Sequence, residues 1–218
     1  MIDLNTIQKI SYWIIPVLFA ITLHEAAHAF VAHRLGDSTA KMLGRLSINP
    51  LRHIDLIGTI VVPIAIAVLS NFHFVFGWAK PVPINWTQLK NPRRDMALVA
   101  AAGPLSNIVM AFFWAVLLKL LIAIHPAASS PVLFLYMAAQ AGILINMVLA
   151  ILNFIPIPPL DGSRVVASLL PPSAAIQYMR IEPFGFFIIL ALLLTGILGW
   201  IIQPILMWSV QLLFSMVR

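Results

Sequence analysis

The amino-acid sequence predicts an all-α, polytopic membrane protein. Of its 218 residues, 61% are hydrophobic and only 9% are charged, whereas an ordinary soluble domain carries roughly 25% charged residues. Several apolar stretches reach the roughly 20 residues that a helix needs to cross the hydrocarbon layer of a bilayer. This composition excludes an ordinary soluble protein. It also excludes a disordered chain, which requires low hydrophobicity and high charge.

The apolar stretches predict helices in a definite order. They are, along the chain, residues 10–32, 56–79, 96–118, 132–152 and 183–217. The last one contains no charged residue and would measure about 52 Å as a single helix. That is long for one membrane span and short for two, so a tilted, broken helix and a tight hairpin both stay open, with breaks expected at Gly196, Gly199 or Pro204.

Basic residues on both sides of residues 56–79 predict a re-entrant segment. Eight of the thirteen Lys and Arg residues lie in two polar stretches, 34–55 and 80–95. Positively charged loops favour the cytoplasmic face of a membrane. A segment that dips in as an irregular or β-hairpin structure and returns keeps both stretches on that face, whereas a full span would separate them. Such irregular backbone is tolerated where protein or a cavity surrounds it.

The whole chain is interpreted as one transmembrane domain, residues 1–218. Its core covers about 10–170, and one or two further helices follow within about 183–217. The net charge of +6 points to anionic lipid at the cytoplasmic surface, and not to nucleic acid. The absence of cysteine excludes disulfides, thiolate metal sites and a cysteine nucleophile.

The sequence His24-Glu25-Ala26-Ala27-His28 carries the clearest chemical signature. Residues four apart lie on one helix face, so both imidazoles can bind the same Zn²⁺ while Glu25 acts as a general base. Polar groups inside an apolar segment are costly without a function. The alternative interpretation is that they line a polar helix interface or an ion path.

A zinc hydrolase also needs a third protein ligand and an open coordination position. Asp161 is the best candidate, because it follows the largely apolar run 153–160, where a lone carboxylate requires a cation. Ordinary solvation accounts for the carboxylates at segment ends and in basic stretches: Asp3, Asp37, Asp55 and Asp95. His33 should point away from the ligand face, and a surface or interface role is expected for His53, His73 and His125. The alternative role of Asp161 is to cap the following helix.

Three blocks of sequence together resemble one protein family. They are HEAAH at 24–28, AGPLSN at 102–107 and NFIPIPPLDG at 153–162. In this order they resemble the site-2 protease family of intramembrane zinc metalloproteases, in the prokaryotic minimal type that lacks PDZ and CBS domains. The resemblance implies a core of three transmembrane helices that carries the metal site.

The resemblance also implies roles for individual residues. His24, His28 and Asp161 would bind one Zn²⁺, and Glu25 would be the base. Asn153 would hold the substrate backbone or the oxyanion; otherwise it is a residue of a helix C-terminus or turn. Helix packing is the expected role of the small and amide residues Gly103, Pro104, Asn107 and Asn146.

The implied activity is hydrolysis of peptide bonds in or near transmembrane segments of membrane proteins, in regulated intramembrane proteolysis. The protein would be multi-pass in the cell membrane, with its active site near the cytoplasmic side. Its partners would be a transmembrane protein substrate and the lipid bilayer. Two other classes remain open at this point, a metal transporter and a catalytically silent binding protein with a protease fold. A transporter should carry more polar ligands along its spans, and an intact Glu25 argues against a silent protein.

Overall fold

The computed structural model describes residues 6–69, 77, 79–124 and 131–217. Within these ranges the α-helices are α1 Thr6–Arg34, α2 Thr39–Met42, α3 Val62–Leu69, α4 Pro92–Ala123, α5 Pro131–Phe154, α6 Asp161–Leu169, α7 Pro172–Met179, α8 Glu182–Leu194 and α9 Ile197–Val217. Short 3₁₀ turns occur at Pro50–Arg52 and Trp86–Gln88, and a π-helix covers Leu56–Val61. The described residues contain no β-strand.

Four of the described helices are long and apolar enough to cross a membrane: α1 (from Ser11), α4, α5 and α9. A fifth is added if α7 and α8, which meet at an angle of 59°, form one bent span. These helices confirm the predicted all-α, multi-pass membrane protein. The predicted spans 10–32, 96–118 and 132–152 correspond to α1, α4 and α5, each slightly longer than the apolar stretch that predicted it.

Helices α1, α4 and α5 pack against one another, and α9 packs against α4 and α5. One core lies between α4, α5 and α9 and is made by Ala115, Leu118, Leu121, Ala139, Ile143 and Val217. Large apolar side chains cover the outside of the bundle, for example Phe113 and Trp200, which are 65% and 79% exposed. In water such a surface would be unfavourable, but in a bilayer it meets lipid tails.

The C-terminal apolar stretch forms two helices that are separated at Gly196. This residue has a φ angle of +77°, in the left-handed region that glycine adopts without a steric penalty. Of the three breaks expected from the sequence, only Gly196 interrupts a helix, because Gly199 and Pro204 both lie within α9. Helix α8 has 13 residues, or about 20 Å, which is too short to cross the membrane alone.

The segment that begins at residue 56 starts and ends at the same end of the bundle. The backbone N–H of Lys80 donates to the carbonyl of His53 at 3.0 Å, and the Arg45 guanidinium donates to the Lys80 carbonyl at 2.7 Å. The π-helix and α3 together measure only about 21 Å, less than the roughly 30 Å of the hydrocarbon core. The two basic stretches are therefore neighbours, as a re-entrant segment requires.

The described part of this segment omits residues 70–76 and 78. The irregular or β-hairpin structure predicted for 56–79 is wrong for residues 56–69, which form the π-helix and α3. His73 lies among the omitted residues. Gly77 is described and packs against the beginning of the segment. A Cβ atom on Gly77 would lie 2.5 Å from Pro63 Cγ and 2.6 Å from the Gly58 carbonyl oxygen. The returning chain therefore runs directly beside the outgoing one.

We predict that the two basic stretches are accessible from the same, cytoplasmic, side of the membrane. Single cysteines at Ser47 and Thr87 should be protected from an impermeant thiol reagent in intact cells and labelled after the cells are opened. A cysteine at Ile124, beyond the far end of the roughly 48 Å helix α4, is the control and should be labelled in intact cells. The native chain has no cysteine to interfere. Labelling of Ser47 and Thr87 from opposite sides would contradict this topology.

Candidate metal centre

The two histidines of the HEAAH sequence lie one turn apart on the inner face of α1. Their side chains point into the bundle, and His24 and His28 are only 8% and 5% exposed. The two Nε2 atoms are 3.1 Å apart. The four-residue spacing predicted this common direction.

Asp161 joins the two histidines from the first residue of α6. The chain between α5 and α6 contains Pro156, Pro158 and Pro159, which lack the N–H that a continuing helix needs. Asp161 Oδ2 lies 3.1 Å from His24 Nε2 and 3.3 Å from His28 Nε2. The N-cap position of α6 is Leu160, and no side-chain hydrogen bond caps this helix. The alternative role of Asp161 as a helix cap is therefore not observed.

The three groups fit a divalent metal ion. Ligands about 2.0–2.1 Å from a tetrahedral zinc ion lie roughly 3.3 Å from one another, and the three distances here are 3.1, 3.1 and 3.3 Å. Asp161 Oδ2 is buried and accepts no hydrogen bond. A buried carboxylate oxygen beside two imidazole nitrogens needs a cation, and these three residues are able to hold one.

The outer nitrogen of each imidazole is held by another helix. His28 Nδ1 donates to the Val99 carbonyl at 2.7 Å, and His24 Nδ1 lies 2.6 Å from Asn107 Oδ1. Such contacts fix the ring orientation of metal-binding histidines. The sequence interpretation gave Asn107 a packing role only and missed this contact; the available signal was its place in the block AGPLSN.

Gly103 allows α4 to approach the two histidines closely. A Cβ atom at this position would lie 2.3 Å from His28 Nε2 and 2.6 Å from His24 Nε2. Both distances are far inside van der Waals contact, so any side chain here would displace the imidazoles. Gly103 therefore leaves room for the two imidazoles, in addition to the helix packing that the sequence predicted.

Glu25 and Asn153 line the same cavity as the three candidate ligands. The cavity has a volume of about 420 Å³. Glu25 Oε2 accepts a hydrogen bond from the backbone N–H of Val82 at 2.7 Å. Asn153 is the second-last residue of α5, and its Nδ2 donates to the Leu149 carbonyl at 3.0 Å. The same cavity is thus lined by all five residues that the sequence predicted for the site: His24, Glu25, His28, Asn153 and Asp161.

Charged and aromatic residues that the sequence analysis did not single out complete the cavity wall. Arg164 forms an ion pair with Glu182 at 2.8 Å, and its guanidinium lies over the Trp86 ring at 4.9 Å. Arg164 follows Asp161 by three residues and so lies on the same helix face, which was the available signal.

Other polar residues of the sequence lie away from the cluster. His33 contacts Ser38, and His53 contacts the Ser47 carbonyl. Asp37 and Asp95 were expected to be solvated, but both are fully buried. They accept backbone N–H groups instead, which offsets the cost of burying a carboxylate. Asp3 and His125 lie outside the described residues.

Part of the chain matches a known protein family. Residues 121–196 match the family model described as Peptidase family M50. This stretch contains Asn153 and Asp161, whereas His24, Glu25 and His28 lie before it. No solved structure matches the chain significantly.

Similar curated proteins cover most of the chain. A Bacillus subtilis protein described as "Putative zinc metalloprotease YwhC" is 38% identical over 198 residues, which are 89% of this chain and 85% of that protein. A Mycolicibacterium smegmatis protein described as "Putative zinc metalloprotease Rip2" is 29% identical over 202 residues, 89% of this chain and 73% of that protein.

We predict that Gly103→Ala lowers zinc affinity by about tenfold or more, the scale on which disturbed ligand orientation acts. The new methyl group would displace both imidazoles from the positions in which they and Asp161 can bind one metal ion. Gly199→Ala is the matched control, because a Cβ atom there has no neighbour within 4 Å. Zinc affinity measured by chelator competition should fall only in the first variant. Equal zinc affinity in both variants would show that the close approach of α4 at Gly103 does not affect metal binding.

Proposed function

Because this chain belongs to peptidase family M50, the site-2 protease family, we propose that it hydrolyses peptide bonds in or near transmembrane segments of membrane proteins. It is a multi-pass membrane zinc metalloprotease. We assign His24, His28 and Asp161 as the ligands of its Zn²⁺ and Glu25 as its general base. The observation that carries this assignment is the convergence of His24, His28 and Asp161 in a cavity that Glu25 also lines.

Glu25 is held in a position suited to proton transfer. When bound, Zn²⁺ supplies a Lewis acid that polarises the scissile carbonyl and makes water more acidic. The Val82 N–H occupies Glu25 Oε2, which leaves Oε1 for the cavity. Glu25 Oε1 takes a proton from the attacking water and passes it to the leaving amine.

Asn153, which lines the same cavity, is proposed to hold the substrate backbone or the oxyanion. One Nδ2 hydrogen is used by the Leu149 carbonyl. The other Nδ2 hydrogen and Oδ1 remain to pair with a peptide group of the substrate. A neutral amide suits this task, because it stabilises developing negative charge without adding a net charge to a low-dielectric site.

The substrate must unwind before it can be cut. The carbonyls of a transmembrane helix are hydrogen-bonded within that helix, so a local break must expose the scissile bond. His24 precedes Arg34 by ten residues, or about 15 Å along α1, so water reaches it from the basic, cytoplasmic end of the bundle. Cleavage near this side would release a cytoplasmic fragment, and we place the activity in regulated intramembrane proteolysis.

We predict that Glu25→Gln retains zinc but lowers proteolysis by about 10²–10⁴-fold, the usual contribution of a general base. The amide keeps the size of the side chain but cannot accept the proton. Glu182→Gln is the control, since it neutralises a cavity carboxylate that is neither the assigned base nor an assigned metal ligand and should change the rate much less. Zinc content and cleavage of a model transmembrane substrate would be measured for both. Wild-type cleavage by Glu25→Gln would refute the assigned base.

We predict that Asp161→Asn lowers zinc content and activity together while the helical fold persists. A neutral amide is a poor zinc ligand, yet it has nearly the volume of the carboxylate. Asp55→Asn is the matched control, because Asp55 accepts the Gly58 N–H at the start of the π-helix and Asn caps as well as Asp. Zinc per protein, measured for both purified variants, tests the assignment. Full zinc in Asp161→Asn would remove Asp161 from the site.

A further inference from the structure

Two buried amides that the proposed mechanism does not use link the metal site to the centre of the bundle. Asn107 on α4 and Asn146 on α5 are both 0% exposed. An unpaired amide in an apolar environment is unfavourable, so each should be fully hydrogen-bonded. They are paired in a chain that ends at His24 on α1.

Two backbone carbonyls, which can only accept hydrogen bonds, set the direction of this chain. Asn146 Nδ2 donates to the Gly142 carbonyl at 2.8 Å, so Asn146 Oδ1 faces Asn107. Asn107 Nδ2 donates to this Oδ1 at 2.9 Å and to the Ala20 carbonyl at 3.1 Å. Both hydrogens of the Asn107 amide are thereby used, and its Oδ1 must be the atom that faces His24.

The orientation of Asn107 decides which nitrogen of His24 carries the proton. His24 Nδ1 lies 2.6 Å from Asn107 Oδ1, an atom that can only accept. His24 Nδ1 must therefore be protonated, and in the neutral ring Nε2 is then left with its lone pair. This lone pair is directed to the point shared with His28 and Asp161.

We propose that Asn107 and Asn146 are positioning residues that hold His24 in the Nδ1–H tautomer and so set the zinc affinity of the site. The proposal rests on the zinc site assigned above. His28 is held differently, since its Nδ1 donates straight to the Val99 carbonyl. Loss of the amide chain should therefore change His24 and leave His28 as it is.

If Asn107 and Asn146 only held the helices together, substitutions of Asn107 would have a different effect on zinc binding. Amides between transmembrane helices also hold helices together by hydrogen bonding, and such a role needs the two donors of Asn107. Asn107→Asp removes both donors but keeps an oxygen opposite His24 Nδ1, whereas Asn107→Leu removes both functions. The positioning role predicts that Asp rescues zinc binding, and the packing role predicts that it does not.

The experiment measures zinc affinity by chelator competition on the purified, full-length protein. Asn107→Leu should weaken zinc binding by about 10–100-fold, as expected for partners of metal-binding histidines, and Asn107→Asp should restore most of it. Asn146→Leu should have a smaller effect, because Asn107 keeps the Ala20 carbonyl. Ser209→Ala, which removes a buried hydroxyl on α9, is the control and should bind zinc like the wild type.

A second measurement reads the tautomer without activity. In protein labelled with ¹⁵N-histidine, Asn107→Leu should shift the ring nitrogens of His24 and leave those of His28 unchanged. Wild-type affinity and an unchanged His24 signal in a folded Asn107→Leu protein would overturn the positioning role. If Asp161→Asn also keeps full zinc, the assigned zinc site itself is wrong; if Asp161→Asn loses zinc, only the amide chain fails.

Discussion

The structure depends on placing two imidazoles and a carboxylate at one point inside an apolar helix bundle. Burying a charged group or a hydrogen-bond acceptor in a low-dielectric environment costs free energy unless a partner ion or donor compensates. Two neutral imidazoles and one carboxylate reduce the charge of a bound Zn²⁺ to one net positive charge, which is far easier to bury than a free ion. A cation between His24, His28 and the buried Asp161 Oδ2 would offset the cost of placing these groups inside the bundle.

A single face of α4 supplies most of the surroundings of the two histidines. The Val99 carbonyl holds His28, Gly103 makes room for both rings, and Asn107 holds His24. These three residues are spaced four apart, so they form one stripe along the helix. Because α4 and α1 are packed along this stripe, the ring orientations follow from the packing of the bundle itself.

The chain after the re-entrant segment connects the cavity to the basic end of the molecule. Arg45 holds the Lys80 and Pro81 carbonyls, Val82 donates to Glu25, and Asp37 accepts the Asn85 N–H. Pro81 also restricts the backbone next to Val82. The position of Glu25 is thus coupled to a non-helical segment that is held at both ends, one of which is anchored by the fully buried Asp37.

The sequence alone determined the membrane class, the main helices and the identities of the five candidate site residues. Span length and the spacing of His24 and His28 are properties of a single helix, whereas Asp161 was predicted from its apolar context and Asn153 from the family resemblance. The sequence could not place Asp161, which lies 133 positions after His28, nor show that Asp37 and Asp95 are buried. Only the tertiary structure decided these points, together with the hydrogen bonds from Asn107 and Val82. The physical reason is that each of them depends on how separate helices pack, and packing distances between distant parts of a chain are not encoded in local periodicity.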